Sequence, residues 1–174
     1  MAASDINPRF HGPSTEEPEC LAPPALQARL REEIGRAERH GTGLSCLLVK
    51  FDNLEEMARE HGGELREQTV VYVAHALRRE LRSFDRVGRL ADGQDGSLAS
   101  GDLLIVLPGA DSPRGEIVAR RTLERLRTIK VEAGGVRQAL EISVGLAAWR
   151  ADVSAETLLA NARAAVRPVN APVV

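Results

Sequence analysis

Apolar residues follow two spacings along the chain, one typical of helices and one typical of strands. Steps of three and four residues predict helices, at 25–40, 54–60, 64–82, 112–128 and 154–166. Runs of apolar and β-branched residues predict strands, at 44–51, 86–90, 102–107 and 140–149. The run at 44–51 hardly alternates with polar residues, which indicates a central strand buried on both faces.

The helical spacing also predicts which side chains face the core. They are Leu26, Leu30, Ile34 and Ala37 in the first helix, Val70, Val71, Val73, Ala74, Ala76, Leu77 and Leu81 in the helix at 64–82, and Ile117, Val118, Leu123 and Leu126 in the helix at 112–128. Short polar residues ahead of three helices predict their caps, at Asp52-Asn53, at Asp111 or Ser112, and at Ser154.

Loops are predicted where glycine and short polar residues interrupt these spacings. The segment 91–100 holds two glycines and two aspartates, so a loop is expected between the strands on either side. Gly134-Gly135 predicts a turn over 130–136. The order of elements predicts an α/β sandwich, in which a mostly antiparallel sheet with a ferredoxin-like βαββαβ core is flanked by helices.

Both ends of the chain lack this periodicity. Residues 1–24 contain five prolines and are predicted to be a disordered leader. Residues 25–168 form the predicted domain, and 169–174 a tail. One domain suits a chain of 174 residues.

Composition narrows the classes of partner. A net charge of −2 argues against nonspecific nucleic-acid binding, and an aromatic content of 3% argues against base-stacking surfaces. No apolar run reaches membrane-spanning length, and the N-terminus lacks an apolar signal core. Cys20 and Cys46 have no metal-type spacing and are predicted to be reduced thiols. We therefore expect a cytoplasmic protein with no nucleic-acid or membrane partner.

Several short motifs stand in one order along the chain. They are Phe51-Asp52 followed by a helix and Gly62, R-x-x-D-x-x-x-R over 82–89, LIVLPG over 104–109, ISVGLA over 142–147 and LLANARAAV over 158–166. Together they resemble the GGDEF family, the diguanylate cyclase domains that join two GTP molecules into cyclic di-GMP. The resemblance covers about 26–166 and implies the nucleotide-cyclase-like fold of that family.

The same resemblance shows departures at the positions that bind metal and guanine. Family members hold two metal ions between the GTP phosphates and a pair of acids, one of which ends the first strand. Lys50 stands at that position, and an ammonium group repels Mg²⁺, which needs oxygen ligands. The guanine-reading Asn of the family falls at Ala58, and its second reader, an Asp, falls near Glu67.

The signature loop departs as well. Counted back from Pro108, the signature positions hold Ala99, Ser100, Gly101, Asp102 and Leu103. Alignment on Gly101-Asp102 instead requires a deletion and puts Leu103 where an acid belongs. In either case the paired glycines and paired acids are missing.

Other residues with which the family binds phosphate and metal are also replaced or only partly matched. The segment 91–98 is an insertion, and Asn170 replaces the family's phosphate lysine. Asp52 and Asp102, with Asp92 and Asp95, could in principle rebuild a metal site, but an ordinary solvated acidic loop is the favoured interpretation. The resemblance therefore implies no cofactor, no resident metal and no cyclase activity.

The R-x-x-D motif resembles the product-binding site of the family. In that interpretation Arg82 contacts a phosphate or guanine of cyclic di-GMP, and Asp85 accepts hydrogen bonds from the guanine edge. Arg86 or Arg89 could supply a second cation. The alternative is a plain helix end, where arginine binds carbonyls and Asp85 caps the turn.

Three functions remain open from the sequence. The first is an inactive GGDEF-like regulatory domain in bacterial signalling that senses cyclic di-GMP through the R-x-x-D site. The second is an inactive domain that acts only through a protein partner or as a homodimer. The third is a divergent nucleotide cyclase that uses Asp52, Asp102 and the acidic loop as metal ligands.

Overall fold

Five helices and seven strands make up the part of the chain that the computed structural model describes, residues 19–92 and 98–168. The helices are α1 (Pro23–His40), α2 (Leu54–His61), α3 (Gly63–Glu80), α4 (Ser112–Leu126) and α5 (Ala155–Ala164). The strands are β1 (Leu44–Phe51), β2 (Arg86–Asp92), β3 (Leu98–Pro108), β4 (Lys130–Ala133), β5 (Val136–Ala139), β6 (Ile142–Ala148) and β7 (Arg167–Pro168). None of these helices is both long and apolar enough to cross a membrane.

The central sheet has the strand order β2-β3-β1-β6-β7, and neighbouring strands in it pair antiparallel. Cys46 of β1 lies between Val106 of β3 and Ala147 of β6. Alternate side chains of β1 enter two cores, one under α2, α3 and α4 and the other under α1 and α5. The sandwich predicted from the sequence, with β1 buried on both faces, is confirmed.

The segment 130–139 corrects a prediction. The sequence indicated a turn over 130–136, but only Gly134 and Gly135 form the turn, with φ values of 60° and 77°. Two successive positive φ angles are what a tight hairpin requires, and β4 and β5 pair on either side. Val131 and Ala133 are buried while their neighbours are exposed, a two-residue period too short to recognise as a strand.

The predicted loop at 91–100 is also shorter than expected. β2 continues to Asp92 and β3 begins at Leu98, and the two strands pair at Ala91 and Ala99. A register shift between Arg89 and Ala91 accommodates the irregularity. Asp95 lies outside the described residues.

Two side chains predicted to face the core face solvent instead. Val71 of α3 is 61% exposed and Ile117 of α4 is 54% exposed. Each helix packs one face on the sheet, and these two residues lie on the side of their helix that the sheet does not cover. α3 ends at Glu80, so Leu81 and Arg82 belong to the following turn and not to the predicted helix end.

The chain ahead of the predicted domain boundary packs on the sheet. Leu21 is 4% exposed, and its amide donates to the carbonyl of Val87 at 2.8 Å. The amide of Arg89 donates to the carbonyl of Leu21, also at 2.8 Å. Leu21 therefore pairs with the edge of β2, although the sequence predicts that residues up to 24 belong to the leader. Residues 1–18 and 169–174 lie outside the described part.

Two of the predicted helix caps are present. The Asp111 side chain accepts from the amide of Arg114 at 3.1 Å, and Ser154 accepts from the amide of Thr157 at 3.1 Å. Asn53 makes no side-chain cap on α2, which corrects the third prediction.

The close approach of α5 explains why the ISVGLA motif has a glycine, Gly145. A Cβ atom built on Gly145 would lie 2.0 Å from the carbonyl oxygen of Ala162 in α5. The obstruction is backbone, so it cannot move aside as a flexible side chain could. A glycine here lets α5 lie directly on β6, which closes the core under α1 and α5.

We predict that Gly145→Ala lowers the free energy of unfolding by about 1–3 kcal/mol, the usual cost of forcing extra atoms into a packed core. Urea denaturation measures this change. The control is Gly63→Ala, because a Cβ at Gly63 meets nothing within 4 Å. A Gly145→Ala protein as stable as the control would show that α5 is not packed as described.

Candidate functional site

The first candidate site lies where β1 ends and α2 begins, and we call it the strand-end cluster: Lys50, Asp52, Asp102 and Ser143. Within β1, all of which is described, Lys50 is the one exposed residue. Lys50 pairs with Ser143 of β6, and Val49 pairs with Leu103 of β3. One further step in the same register places Asp102 opposite Lys50.

The carboxylate of Asp52 is engaged within the strand-end cluster. Its Oδ2 accepts a hydrogen bond from the hydroxyl of Ser143, and its backbone amide donates to the carbonyl of Glu141 at 2.8 Å. The neighbouring Asn53 donates to the carbonyl of Ala139 at 3.1 Å and accepts from the amide of Glu141 at 2.9 Å. Asn53 therefore ties the start of α2 to the chain between β5 and β6, a role that no local sequence signal indicated.

These groups do not fit a divalent metal. A hard cation needs several oxygen ligands, and the register puts Lys50, which carries an ammonium, between Asp102 and the Ser143 that holds Asp52. Among the described residues, no cluster of three or more His, Cys, Asp or Glu side chains could hold a metal ion.

Two residues expected to contact the ligand bind each other instead: Glu67, the predicted second guanine reader, and Arg89, a predicted cation for phosphate. Arg89 of β2 donates to both carboxylate oxygens of Glu67 in α3, at 2.7 and 2.9 Å. This hydrogen-bonded fork lowers the pKa of Glu67 and raises the pKa of Arg89. Ala58 on α2 offers no polar side chain in place of the first reader. The two positions expected to contact guanine thus hold an alanine and a glutamate that is paired with an arginine.

The signature positions belong to a regular strand. Ala99 and Ser100 continue the backbone of β3, and Leu103 is fully buried in the core. A side chain at Gly101 would meet Leu54 and Phe51 at 3.5 and 3.7 Å, so that face of the strand is turned to packed residues.

The second candidate site is the turn between α3 and β2, at the opposite end of the sheet. Asp85 is 1% exposed, and its Oδ2 accepts from the backbone amide of Arg82 at 2.8 Å. The guanidinium of Arg78 donates to the carbonyls of Arg82 and Asp85. Arg86 donates to the carbonyls of Ser83 and Asp85, at 2.6 and 2.9 Å.

This network gives Asp85 and Arg86 a structural role. A carboxylate buried to this degree has no surface to offer a guanine edge, and it instead holds the turn closed. Its second oxygen, Oδ1, is buried without a hydrogen-bond partner in the described structure. The geometry favours the capping interpretation of Asp85 over the guanine-reading one.

Arg82 itself points outward. Its guanidinium carbon lies 5.0 Å from the ring centroid of Phe84, whose side chain is 47% exposed. Arg82 and Phe84 line a cavity of about 290 Å³ together with Arg36 of α1 and Arg114 of α4. We call this cavity the arginine pocket.

The walls of the arginine pocket come from α1 and three connections of the fold: the turn after α1, the turn between α3 and β2, and the passage from the end of β3 to the start of α4. Glu33 is the one carboxylate in the lining, and it is 5% exposed and lies 3.8 Å from Arg36 and 3.7 Å from Arg29. Three guanidinium groups share the lining with this carboxylate, but Arg36 also donates to Glu32 at 3.4 Å. The excess positive charge therefore comes from Arg82 and Arg114, and it favours an anionic ligand. The sequence had indicated Arg82 alone of these three arginines.

The family model described as "Diguanylate cyclase, GGDEF domain" matches residues 24–171 of the chain. The chain belongs to the GGDEF family. The resemblance found in the short motifs is thereby confirmed.

Solved GGDEF proteins have the same architecture. Diguanylate cyclase SiaD of Pseudomonas aeruginosa, solved with its activator SiaC, is 26% identical with a TM-score of 0.74, over 87% of this chain and 56% of the SiaD chain. A sensory box/GGDEF family protein of Caulobacter crescentus is 28% identical with a TM-score of 0.68, over 84% of this chain and 90% of its own. This chain thus spans little more than half of the SiaD chain.

A more distant GGDEF domain, that of DgcB from Caulobacter crescentus, was solved in complex with c-di-GMP. It is 16% identical with a TM-score of 0.71 over 88% of each chain, and shares the fold. No curated protein matches this chain.

Because Asp85 is buried, its ionisation is expected to change the stability of this GGDEF domain with pH. Burial raises the pKa of Asp85, while the Arg82 amide and the charges of Arg82, Arg78 and Arg86 act in the opposite direction. An acid whose pKa is raised by folding binds its proton more tightly in the folded state. Its contribution to stability is therefore present at low pH and is lost as the pH rises through the raised pKa.

We predict that Asp85→Asn, which keeps an oxygen for the Arg82 amide but cannot ionise, gains stability relative to the unmodified chain as the pH rises through that interval. Urea unfolding at a series of pH values measures the difference. Asp85→Ala removes the acceptor and should cost about 1 kcal/mol at low pH. A constant difference between Asp85→Asn and the unmodified chain would contradict the raised pKa.

Proposed function

We propose that this GGDEF domain does not synthesise cyclic di-GMP and acts as a regulatory domain that binds it. The observation that supports the absence of synthesis is the position of Lys50, which the sheet register places between Asp102 and Ser143. Metal ions activate a hydroxyl and neutralise phosphates in phosphoryl transfer, and an ammonium among these side chains supplies no coordination position. The Glu67–Arg89 fork supports the same conclusion, because it occupies the remaining guanine reader.

The second half of the proposal rests on the arginine pocket. Cyclic di-GMP carries two phosphodiester anions and two flat guanine rings. Arginine binds phosphate oxygens with two parallel hydrogen bonds, and guanidinium or aromatic planes stack on bases. The stacked Arg82–Phe84 pair, with Arg36 and Arg114 across the cavity, offers both kinds of contact.

This assignment differs from the set of ligand residues expected from the motif. Arg82 is kept as the central contact. Asp85 and Arg86 form the turn from which Arg82 projects. Arg89 is paired with Glu67 and is therefore not included. Arg36 and Arg114 take the place of the second cation. We expect such a domain to act in the bacterial cytoplasm, in cyclic di-GMP signalling.

We predict micromolar binding of cyclic di-GMP, about −8 kcal/mol, when the purified chain is titrated by calorimetry. Arg82→Ala should weaken binding at least about tenfold, because it removes a charged hydrogen-bonding fork worth about 1.5–3 kcal/mol. The matched control is Arg79→Ala, an exposed arginine of α3 that does not line the pocket.

Equal affinities of the Arg82→Ala and Arg79→Ala proteins would remove the arginine pocket from the binding site. No heat from any of the proteins would overturn the proposal and leave an interaction domain that works through protein contacts alone.

We predict no cyclic di-GMP and no other nucleotide product when the chain is incubated with GTP and Mg²⁺ and the mixture is resolved by chromatography. Lys50→Asp should remain inactive, because Ala58 and the altered signature positions are unchanged. Metal-dependent turnover by the unmodified chain would show instead a divergent enzyme that uses Asp52 and Asp102.

A further inference from the structure

Helices α1 and α5 lie on the same face of the sheet but rest on different strands. One row of paired residues crosses the sheet beneath them: Gly88 of β2, Leu104 of β3, Leu48 of β1 and Gly145 of β6. A Cβ atom at Gly88 would lie 2.7 Å from Leu26 of α1, and one at Gly145 would overlap the backbone of α5. The two helices therefore press on opposite ends of this row.

The length of the row keeps the two helices apart. Neighbouring strands lie about 4.8 Å apart, so the ends of the row are separated by about 14 Å. Helices that pack directly on each other lie about 8–10 Å apart. A gap of about 5 Å is thus left between α1 and α5, which is close to the thickness of one hydrocarbon chain, because packed carbon atoms lie about 3.5–4.0 Å apart.

The gap is closed at one end by an ion pair and forms a cavity at the other. Arg31 of α1 donates to Glu156 of α5 at 3.0 Å, which joins the two helices. Between the first turn of α1 and the last turn of α5 lies a cavity of about 220 Å³, which we call the helix groove. Its apolar lining comes from two helices and two strands: Leu26, Leu30, Leu90, Leu104 and Leu159. A cavity of about 150 Å³ holds a benzene ring, so the helix groove has room for an apolar group of about six to eight carbon atoms.

The polar side chains of the helix groove leave one positive charge unpaired. Gln27 of α1 and Arg163 of α5 are exposed on opposite walls, and neither makes a hydrogen bond or ion pair with any described residue. Arg89 also lines the groove, but its two terminal nitrogens donate to Glu67. No acidic side chain of the described residues lines the groove. Two available donors, one of them cationic, favour a single carboxylate.

We propose that the helix groove binds a small apolar carboxylate of about six to eight carbon atoms. The hydrocarbon part lies against the leucines between α1 and α5, and the carboxylate accepts hydrogen bonds from Arg163 and Gln27. The site goes beyond the proposed cyclic di-GMP binding and does not depend on it. The arginine pocket is lined by the second half of α1, through Glu33 and Arg36, and the helix groove by the first half.

Titration of the chain with octanoate, followed by NMR of its leucine methyl groups, tests the proposal. We expect saturable shifts at Leu30, Leu104 and Leu159, with a dissociation constant below about 1 mM. Each methylene added between butanoate and octanoate should tighten binding about fourfold, because each enters the apolar groove. The neutral 1-octanol and the cationic octylammonium should bind at least about fivefold more weakly than octanoate, since neither has a carboxylate for Arg163.

Two variants separate the charge of the site from its apolar part. Arg163→Gln should weaken octanoate binding at least about fivefold and leave 1-octanol binding unchanged. The matched control is Arg79→Gln, because Arg79 lies in the last turn of α3 as Arg163 lies in the last turn of α5, but on the other face of the sheet. Leu159→Trp, at a half-buried position, should fill the groove and abolish binding of both ligands. Circular dichroism verifies that each variant keeps its helices.

The absence of saturable shifts with octanoate would overturn the proposal, as would shifts confined to leucines outside the groove. Equal binding of octanoate and 1-octanol, or equal octanoate affinities of Arg163→Gln and Arg79→Gln, would overturn the assignment of a carboxylate. Calorimetry of the same proteins with cyclic di-GMP tests the two sites separately. A chain that binds octanoate but not cyclic di-GMP contradicts the proposed function alone, and the reverse result contradicts the helix groove alone.

Discussion

The burial of β1 on both faces determines where every other element lies. Its two neighbours run antiparallel to it, so each residue from Ser45 to Val49 is fixed against one residue of β3 and one of β6. A slip by one residue would exchange the two faces and move Lys50 towards the core. The exposed position of Lys50 at the strand end is therefore enforced by the packing of the whole sheet, and not by any local preference.

The two ends of this sheet have opposite electrostatic character. At the end of the sheet where the family would bind metal and nucleotide, cations lie among the acids. The register sets Lys50 beside Asp102, and Arg89 is hydrogen-bonded to Glu67. At the other end guanidinium groups outnumber the acids, because three of them line a cavity whose one carboxylate, Glu33, is buried and partly neutralised. The first arrangement is unfavourable for a divalent cation, and the second is favourable for an anion.

Local patterns in the sequence predicted the five helices and the four strands of the central sheet from β1 to β6, although they missed the β4–β5 hairpin. Helices and strands follow from spacings of two to four residues, and the caps at Asp111 and Ser154 act on amides three residues away. The replacement of an acid by Lys50 is a property of one position. All of these depend on residues close together in the chain, so they could be predicted before the fold was known.

Tertiary structure decided which distant residues meet. It buried Asp85 beneath its own turn, joined Glu67 to Arg89, and gathered Arg36, Arg82 and Arg114 from three separate elements around one cavity. It also exposed the apolar positions of α3 and α4 that the helical period had assigned to the core. Local spacing states how a residue is oriented on its own helix or strand. It does not state which face another element will cover, because that depends on the packing of the entire chain.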